Sequence, residues 1–314
     1  MPAATLSIVN PATGSAVLRL AADGPREVAQ RYAAARAAQP RWAATPIRKR
    51  IAAIEKFRAQ VVARGDALAQ TLTQEVGKPI RQSRNELKGL LGRLDFFIAE
   101  SARVLREQKV FTDASQRMDE RVTHEPLGVV ANISAWNYPY FVGSNVFVPA
   151  LVAGNAVLYK PSEYATLTGR HIADLLHASG VPEDVFVPVI GAGATGTALL
   201  RQPVDGVFFT GSYATGAKIA AAAGRRMIKV QLELGGKDPV YVCEDVDVNA
   251  AAAAIFAPVA YEPVKNTPST GWRSNAAPVL PPPMTGTKTS SGTPDACSRS
   301  AMCRPVSVAY SDGL

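Results

Sequence analysis

The sequence predicts an α/β chain built on a doubly wound parallel sheet, and three observations carry that expectation. Between Leu127 and Leu232, short apolar runs alternate with helical stretches of about a dozen residues. Two of the joins between a run and the next helix are glycine-rich, as strand-to-helix turns over a ligand often are. The 314 residues are 47% apolar, enough for a substantial core in one large or two ordinary domains.

The elements follow in order. Leu6-Ser7-Ile8-Val9, the turn Asn10-Pro11-Ala12-Thr13-Gly14 and Ala16-Val17-Leu18 read as an edge hairpin. Pro25 to Ala43 is a helix with Val28, Tyr32, Ala35 and Trp42 on one side. Pro46 to Gly77 reads as one long helix, opened by proline and striped by Ile51, Ile54, Phe57 and Val61. Pro79 to Glu107 is a third, striped by Leu87, Leu90, Leu91, Leu94, Phe97 and Ile98; these stripes are read as core faces. Residues 108–126 are polar and extended. The sheet strands are then Gly128–Ile133, Asn155–Tyr159, Val185–Ile190, Gly206–Phe209 and Ile228–Leu232. The helices between them are Val142–Ala153, Ala165–Ser179, Thr195–Arg201 and Thr215–Ala223.

At Phe256 the texture changes. Residues 256–314 hold nine prolines, eight serines, six threonines and four glycines, with no helix or strand period, so an irregular, disordered tail is expected. The expected organisation is therefore a domain over residues 1–255 and a tail over 256–314.

Composition excludes several classes. The formal charge is +8, but its densest run, Arg48-Lys49-Arg50, reads as a solvated helix start, and no longer basic stripe interleaves with aromatics, so no nucleic-acid partner is expected. No apolar run reaches the length of a membrane span, and Met1-Pro2-Ala3-Ala4-Thr5 does not open a signal peptide. Three cysteines, at 243, 297 and 303, argue against a disulfide framework and for the reducing cytoplasm. No metal site is expected.

Two glycine loops compete for a nucleotide's phosphates. Gly191-Ala192-Gly193-Ala194-Thr195-Gly196 matches G-x-G-x-x-G, but no acidic residue closes a strand about twenty positions on, and a plain tight turn reads as well. Phe209-Thr210-Gly211-Ser212-Tyr213-Ala214-Thr215-Gly216 also joins strand to helix, with Gly211 permitting close approach and Ser212 at the helix start. Lys160-Pro161-Ser162-Glu163 follows a strand end, where Lys160 is either a ligand-facing cation or an ordinary surface lysine. Asn137 is an oxyanion donor or a turn asparagine capping the next helix. Glu233, at a strand end before Gly235-Gly236, is a general base tuned by apolar neighbours or a surface carboxylate.

In sequence order, Ala135-Trp136-Asn137-Tyr138-Pro139, Lys160-Pro161-Ser162-Glu163, Phe209-Thr210-Gly211-Ser212 and Leu232-Glu233-Leu234-Gly235-Gly236-Lys237 resemble the NAD(P)-dependent aldehyde dehydrogenase family. The resemblance runs from about Val9 to about Ala254. It departs mildly at Ala135, where many members have proline. It implies that Gly211, Ser212 and Gly216 hold the pyrophosphate, that Gly193 lines the adenine side, and that Lys160 and Glu163 reach the ribose, with Ser162 beside them in the cofactor site. Trp136 and Leu234 complete the cofactor site, Asn137 donates to the oxyanion and Glu233 activates water. NAD is favoured, because Glu163 repels a 2′-phosphate, while Lys160 and Ser162 keep NADP open. Residues 108–126 would be part of an oligomerisation hairpin in a homo-oligomer.

The implied activity is oxidation of an aldehyde to a carboxylic acid through a cysteine thiolate. In the family the cysteine that the covalent mechanism requires lies roughly three dozen residues beyond the glutamate, in Gly-Gln-x-Cys. Here that position falls within Lys265–Gly271, and no cysteine lies between Cys243 and Cys297. Cys243 reads as a buried structural thiol, and neither Cys297 nor Cys303 has the setting of an activated thiolate. The family's catalytic domain is not recognisable after residue 256, and a frame change, mis-splicing or deletion near residue 255 is the expected origin, ahead of a true fusion. Impaired catalysis is expected; the alternatives are a non-catalytic nucleotide-binding remnant or an adaptor acting through the proline-rich tail.

Overall fold

The computed structural model describes residues 5–113, 115, 117–235, 242 and 245–256. The expected tail beyond its first residue, Phe256, and all three cysteines lie outside the described residues. Among the described residues, no helix is long and apolar enough to cross a membrane, and no group of histidine, cysteine and acidic residues could hold a metal ion.

β1 (Thr5–Val9) and β2 (Ala16–Ala21) form the expected antiparallel hairpin. Its turn closes by Gly14 N–H donating to Asn10 O at 2.8 Å, with Gly14 at φ +70°, where only glycine sits without strain. α1 (Pro25–Ala43) starts on proline and buries Val28, Ala35 and Trp42, as its period predicts.

The stretch expected as one helix is two, α2 (Ile47–Ala63) and α3 (Gly65–Val76). Arg64 leaves helical geometry at φ −111°, ψ 12°, ahead of Gly65, a weak helix former. The bend lets Phe57 and Val61 of α2, and Leu68 and Leu72 of α3, reach the same core. Gly77 then ends α3 at φ +78°, and Lys78 and Pro79 lead into α4 (Ile80–Val104). β3 (Gln108–Asp113) and β4 (Met118–Val122) pair antiparallel as an exposed ribbon.

The five-stranded sheet follows the expected alternation: β5 (Val129–Ile133), α5 (Phe141–Val152), β6 (Ala156–Lys160), α6 (Thr166–Ala178), β7 (Phe186–Pro188), α7 (Gly193–Leu200), β8 (Gly206–Thr210), α8 (Tyr213–Arg226) and β9 (Lys229–Glu233). All pairings are parallel, in the order β7-β6-β5-β8-β9. Alternate residues face opposite sides. Val130, Val157, Tyr159 and Phe186 pack with α2 to α6, whereas Val129, Ala131, Ala156, Leu158 and Val207 pack with α1, α7 and α8. Burial on both faces explains why β5 and β6 read as nearly continuous apolar runs, whereas the edge strand β9 is largely exposed.

One basic residue is misplaced by the sequence. Arg48 and Lys49 are exposed as expected, but Arg50 is buried. Its guanidinium donates to the carbonyls of Ala43 (2.7 Å), Thr45 (2.5 Å) and Val152 (2.9 Å). It thereby satisfies open carbonyls at and beyond the ends of α1 and α5, where a cation also meets the negative ends of the helix dipoles.

The described residues beyond 237, namely 242 and 245–256, belong to a second unit. Its described element is α9 (Val248–Phe256), entered by Ala250 N–H donating to the Asp247 carboxylate at 2.7 Å.

Candidate functional site

The strand order reverses between β5 and β8. The chain steps outward from β5 through β6 to β7, then returns to the other side of β5 for β8 and β9. Ligands of open parallel sheets bind in the crevice at the carboxyl ends of strands beside such a reversal. All the predicted site residues lie at strand ends or in the segments leading from them. Trp136 and Asn137 follow β5; Lys160, Ser162 and Glu163 close and follow β6. Gly193 opens the helix after β7, Gly211, Ser212 and Gly216 follow β8, and Glu233 and Leu234 close and follow β9.

Lys160 is not a surface lysine. It is 4% exposed, and burial lowers its pKa, opposed by the charge of Glu163. Its Nζ donates to Pro161 O at 3.2 Å and lies 4.0 Å from Glu163 Oε2. The carboxylate of Glu163 is about one-third exposed, in a short 3-10 turn whose start Ser162 Oγ caps by accepting Tyr164 N–H at 3.2 Å. Gly196 of α7 borders the lysine stem: a Cβ there would sit 3.6 Å from Lys160 Cε. The first glycine loop thus walls the buried cation.

That loop is shaped from a distance. Asp23 donates its N–H to Ile190 O and accepts Ile190 N–H on its carboxylate, both at 2.7 Å, while Thr195 Oγ1 donates to Asp23 O at 2.8 Å. Gly191, at φ +152°, presses so closely on Thr195 that no side chain fits. No Cβ contact lies within 4 Å at Gly193, so the mouth of α7 is open there.

The second loop opens α8. Gly211 N–H donates to Glu233 O at 3.0 Å, tying β8 to β9 beyond the last ladder pair, Thr210 with Glu233. Ser212 is the N-cap: its Oγ accepts Thr215 N–H at 3.4 Å, and its carbonyl accepts Gly216 N–H at 2.9 Å. The side chain of Leu234 lies against Gly216, where a Cβ would collide with it. Glu233 itself is exposed on the edge strand, and the described residues do not supply the apolar surroundings expected for it.

Asn137 and Trp136 are exposed. Asn137 Oδ1 accepts Tyr138 N–H at 3.1 Å, and the side-chain –NH2 has no partner among the described residues. Sequence reasoning missed what grips this segment. Lys78 Nζ donates to Glu86 Oε2 at 2.7 Å and to Asn137 O at 2.8 Å, and stands 3.5 Å from the Tyr138 ring centroid. Glu86 Oε1 accepts Tyr140 N–H at 2.7 Å and Phe141 N–H at 3.2 Å, at the start of α5. Burial raises the Glu86 pKa, and Lys78 and the two N–H groups oppose it. A signal was present: Glu86 shares the buried stripe of Ser83, Leu87 and Leu90, where a carboxylate demands partners.

The model of the aldehyde dehydrogenase family matches residues 2–261. A 3,6-anhydro-alpha-L-galactose dehydrogenase from Streptomyces coelicolor is 37% identical over 252 residues, 80% of this chain and 51% of that protein. The crystal structure of an NAD-dependent aldehyde dehydrogenase from Sinorhizobium meliloti is similar at 34% identity and a TM-score of 0.77, over 82% of this chain and 52% of that one. An NADP-dependent glyceraldehyde-3-phosphate dehydrogenase from Bacillus halodurans, complexed with NADP, matches at 32% identity and a TM-score of 0.75, over 81% and 54%. The chain spans about half the length of the relatives it matches.

Proposed function

Because the chain belongs to the aldehyde dehydrogenase family, we propose that its strand-end crevice binds NAD(P) and that its fold serves the oxidation of an aldehyde to a carboxylic acid. The observation that most supports this reading is the buried Lys160 beside the one-third-exposed carboxylate of Glu163, two strands from the glycine-lined start of α8. At the usual strand spacing that separation is on the order of 10 Å. A dinucleotide needs such a pair of subsites: acceptors for ribose hydroxyls, and free N–H groups with a favourable dipole for phosphate.

The chain's residues take distinct roles in this reading. Ser212 presents its backbone N–H to the pyrophosphate at the start of α8, Gly211, whose own N–H is held by Glu233 O, keeps the approach open, and Gly216 and Leu234 floor that loop. Glu163 accepts from the ribose hydroxyls, and Lys160, held next to it, steadies its charge; Ser162 shapes the turn. This arrangement favours NAD over NADP, since a 2′-phosphate would meet the carboxylate. Gly193 opens the adenine side and Trp136 borders the reacting end. Bound NAD(P) supplies the hydride acceptor. Asn137 offers its unpartnered –NH2 to an oxyanion, and Glu233 is the base that takes a proton from water.

The family's thiolate is the part this sequence does not place, because no cysteine lies between Cys243 and Cys297. Turnover by this chain is therefore weak or absent, and nucleotide binding without catalysis is the second reading that this spacing favours. The β3–β4 ribbon, exposed along its length, is the segment through which copies of the chain would assemble. A reducing compartment, the cytoplasm, suits the sparse cysteines.

The deciding experiment is calorimetric titration of NAD and NADP into the wild type and Glu163→Gln. The reading expects wild type to prefer NAD and the variant to lose most of that preference. No binding of either nucleotide to folded protein would refute it.

A further inference from the structure

Lys78 sits in the link between α3 and α4, and its side chain is only 9% exposed although it is charged; that of Glu86 is fully buried. Their contacts converge on one place. Lys78 takes the carbonyl of Asn137 and the ring of Tyr138, and Glu86 takes the N–H groups of Tyr140 and Phe141. One ion pair thus grips four of the five residues from 137 to 141, which join β5 to α5.

A buried ion pair adds little net stability compared with an apolar pair of the same shape, because desolvation offsets the attraction. What such a pair does provide is direction. It fixes the Asn137 carbonyl toward Lys78, while Oδ1 is turned to Tyr138 N–H. The one polar group of that side chain left without a partner among the described residues is its –NH2.

We propose that Lys78 and Glu86 are positioning residues, which hold Asn137 and Trp136 in place at the strand-end crevice by clamping the segment that carries them. This rests on the reading of that crevice as the cofactor and reaction site. The two residues act through the backbone of 137–141 and are not themselves groups that touch a reacting atom.

The test uses the full chain with Lys78→Met, Lys78→Arg and Glu86→Gln. Hydrogen exchange of individual amides reads the clamp directly. Energy transfer from tryptophan to bound NADH, taken relative to Trp136→Phe, reads the placement of Trp136. Lys78→Met is expected to speed exchange at Tyr140 and Phe141 about tenfold. It should remove most of the Trp136 transfer at saturating NADH while leaving exchange in β5 and β6 unchanged, and Lys78→Arg should restore both readings. If Lys78→Met does not fold, Glu86→Gln, which keeps the shape of the side chain, is read in the same way. Exchange and transfer like wild type in the folded variants would overturn the proposal. So would faster exchange spread through β5 and β6 that arginine does not rescue, since the pair would then serve the fold alone. If wild type itself binds no NADH, the functional reading fails, and the exchange pattern alone decides for or against the clamp.

Discussion

Glu75 and Thr168 meet twice: one carboxylate oxygen of Glu75 accepts both the N–H and the hydroxyl of Thr168, each at 2.9 Å. The other oxygen accepts Leu167 N–H at 2.6 Å. A side chain from α3 therefore caps the start of α6, as Glu86 of α4 caps the start of α5. Each acidic group satisfies N–H groups that have no partner inside their own helix.

The first prediction concerns Glu75. Its pKa is raised, chiefly by burial, with hydrogen bonds from Thr168, Leu167 and Thr166 opposing. A carboxylate raised in the folded state stabilises most below its unfolded pKa and loses that contribution as pH climbs through the folded value. Glu75→Gln turns an –NH2 toward donors and should cost about 1–3 kcal/mol. The deficit should be largest near pH 4.5, the ordinary value for the group, and shrink as pH rises. Urea unfolding at several pH values measures it; a deficit that grows with pH would contradict the argument.

Arg50 carries the second prediction. Removing its guanidinium strands the carbonyls of Ala43, Thr45 and Val152. Arg50→Met should destabilise by about 3–5 kcal/mol, because several buried acceptors lose their donor at once. Arg50→Lys should recover only part, since one ammonium lacks the planar spread of the guanidinium. A loss below about 1 kcal/mol in Arg50→Met would show that water replaces the donor.

These two residues mark where sequence reading stops. The alternation of strands and helices was legible because the central strands β5 and β6 are buried on both faces and glycine or proline stands at most of the strand–helix joins. The strand-end residues were legible because their motifs lie within a few positions of a strand, so local order placed Lys160, Asn137, Ser212 and Glu233 at one edge. Arg50 looked like any helix-start arginine, since the α5 carbonyl it serves is 102 residues away. Lys78 and Glu86 were passed over because their target, 137–141, comes more than fifty residues later. The break at Arg64 was hidden by an apolar stripe that continues in phase on both sides. Long-range polar pairing has no period, and nothing in a single sequence announces it.

The third prediction separates binding from folding at the start of α8. Ser212 caps the helix through its hydroxyl. Aspartate is an equally good N-cap, and its charge suits the positive end of the dipole. Ser212→Asp should leave the melting temperature unchanged or slightly higher, yet weaken NAD binding about tenfold by setting a carboxylate against the pyrophosphate. Unchanged NAD affinity in a folded variant would move the phosphate site elsewhere.

The last prediction concerns chemistry. In the proposed reading Asn137 and Glu233 supply an oxyanion donor and a base, but neither can form the covalent bond that lets an aldehyde be oxidised and then released as acid. Without a placed thiolate no thiohemiacetal forms, and the aldehyde hydrate must be oxidised with no covalent activation. Loss of an enzyme's nucleophile commonly removes on the order of 10⁴-fold or more in rate. The purified chain should therefore bind NAD yet produce NADH from short aldehydes at close to the background rate. Cys297→Ala and Cys303→Ala should change nothing. Turnover well above background that vanishes in either variant would mean that a cysteine from beyond the described residues reaches the crevice. The chain would then be an enzyme with a relocated nucleophile rather than a nucleotide-binding remnant.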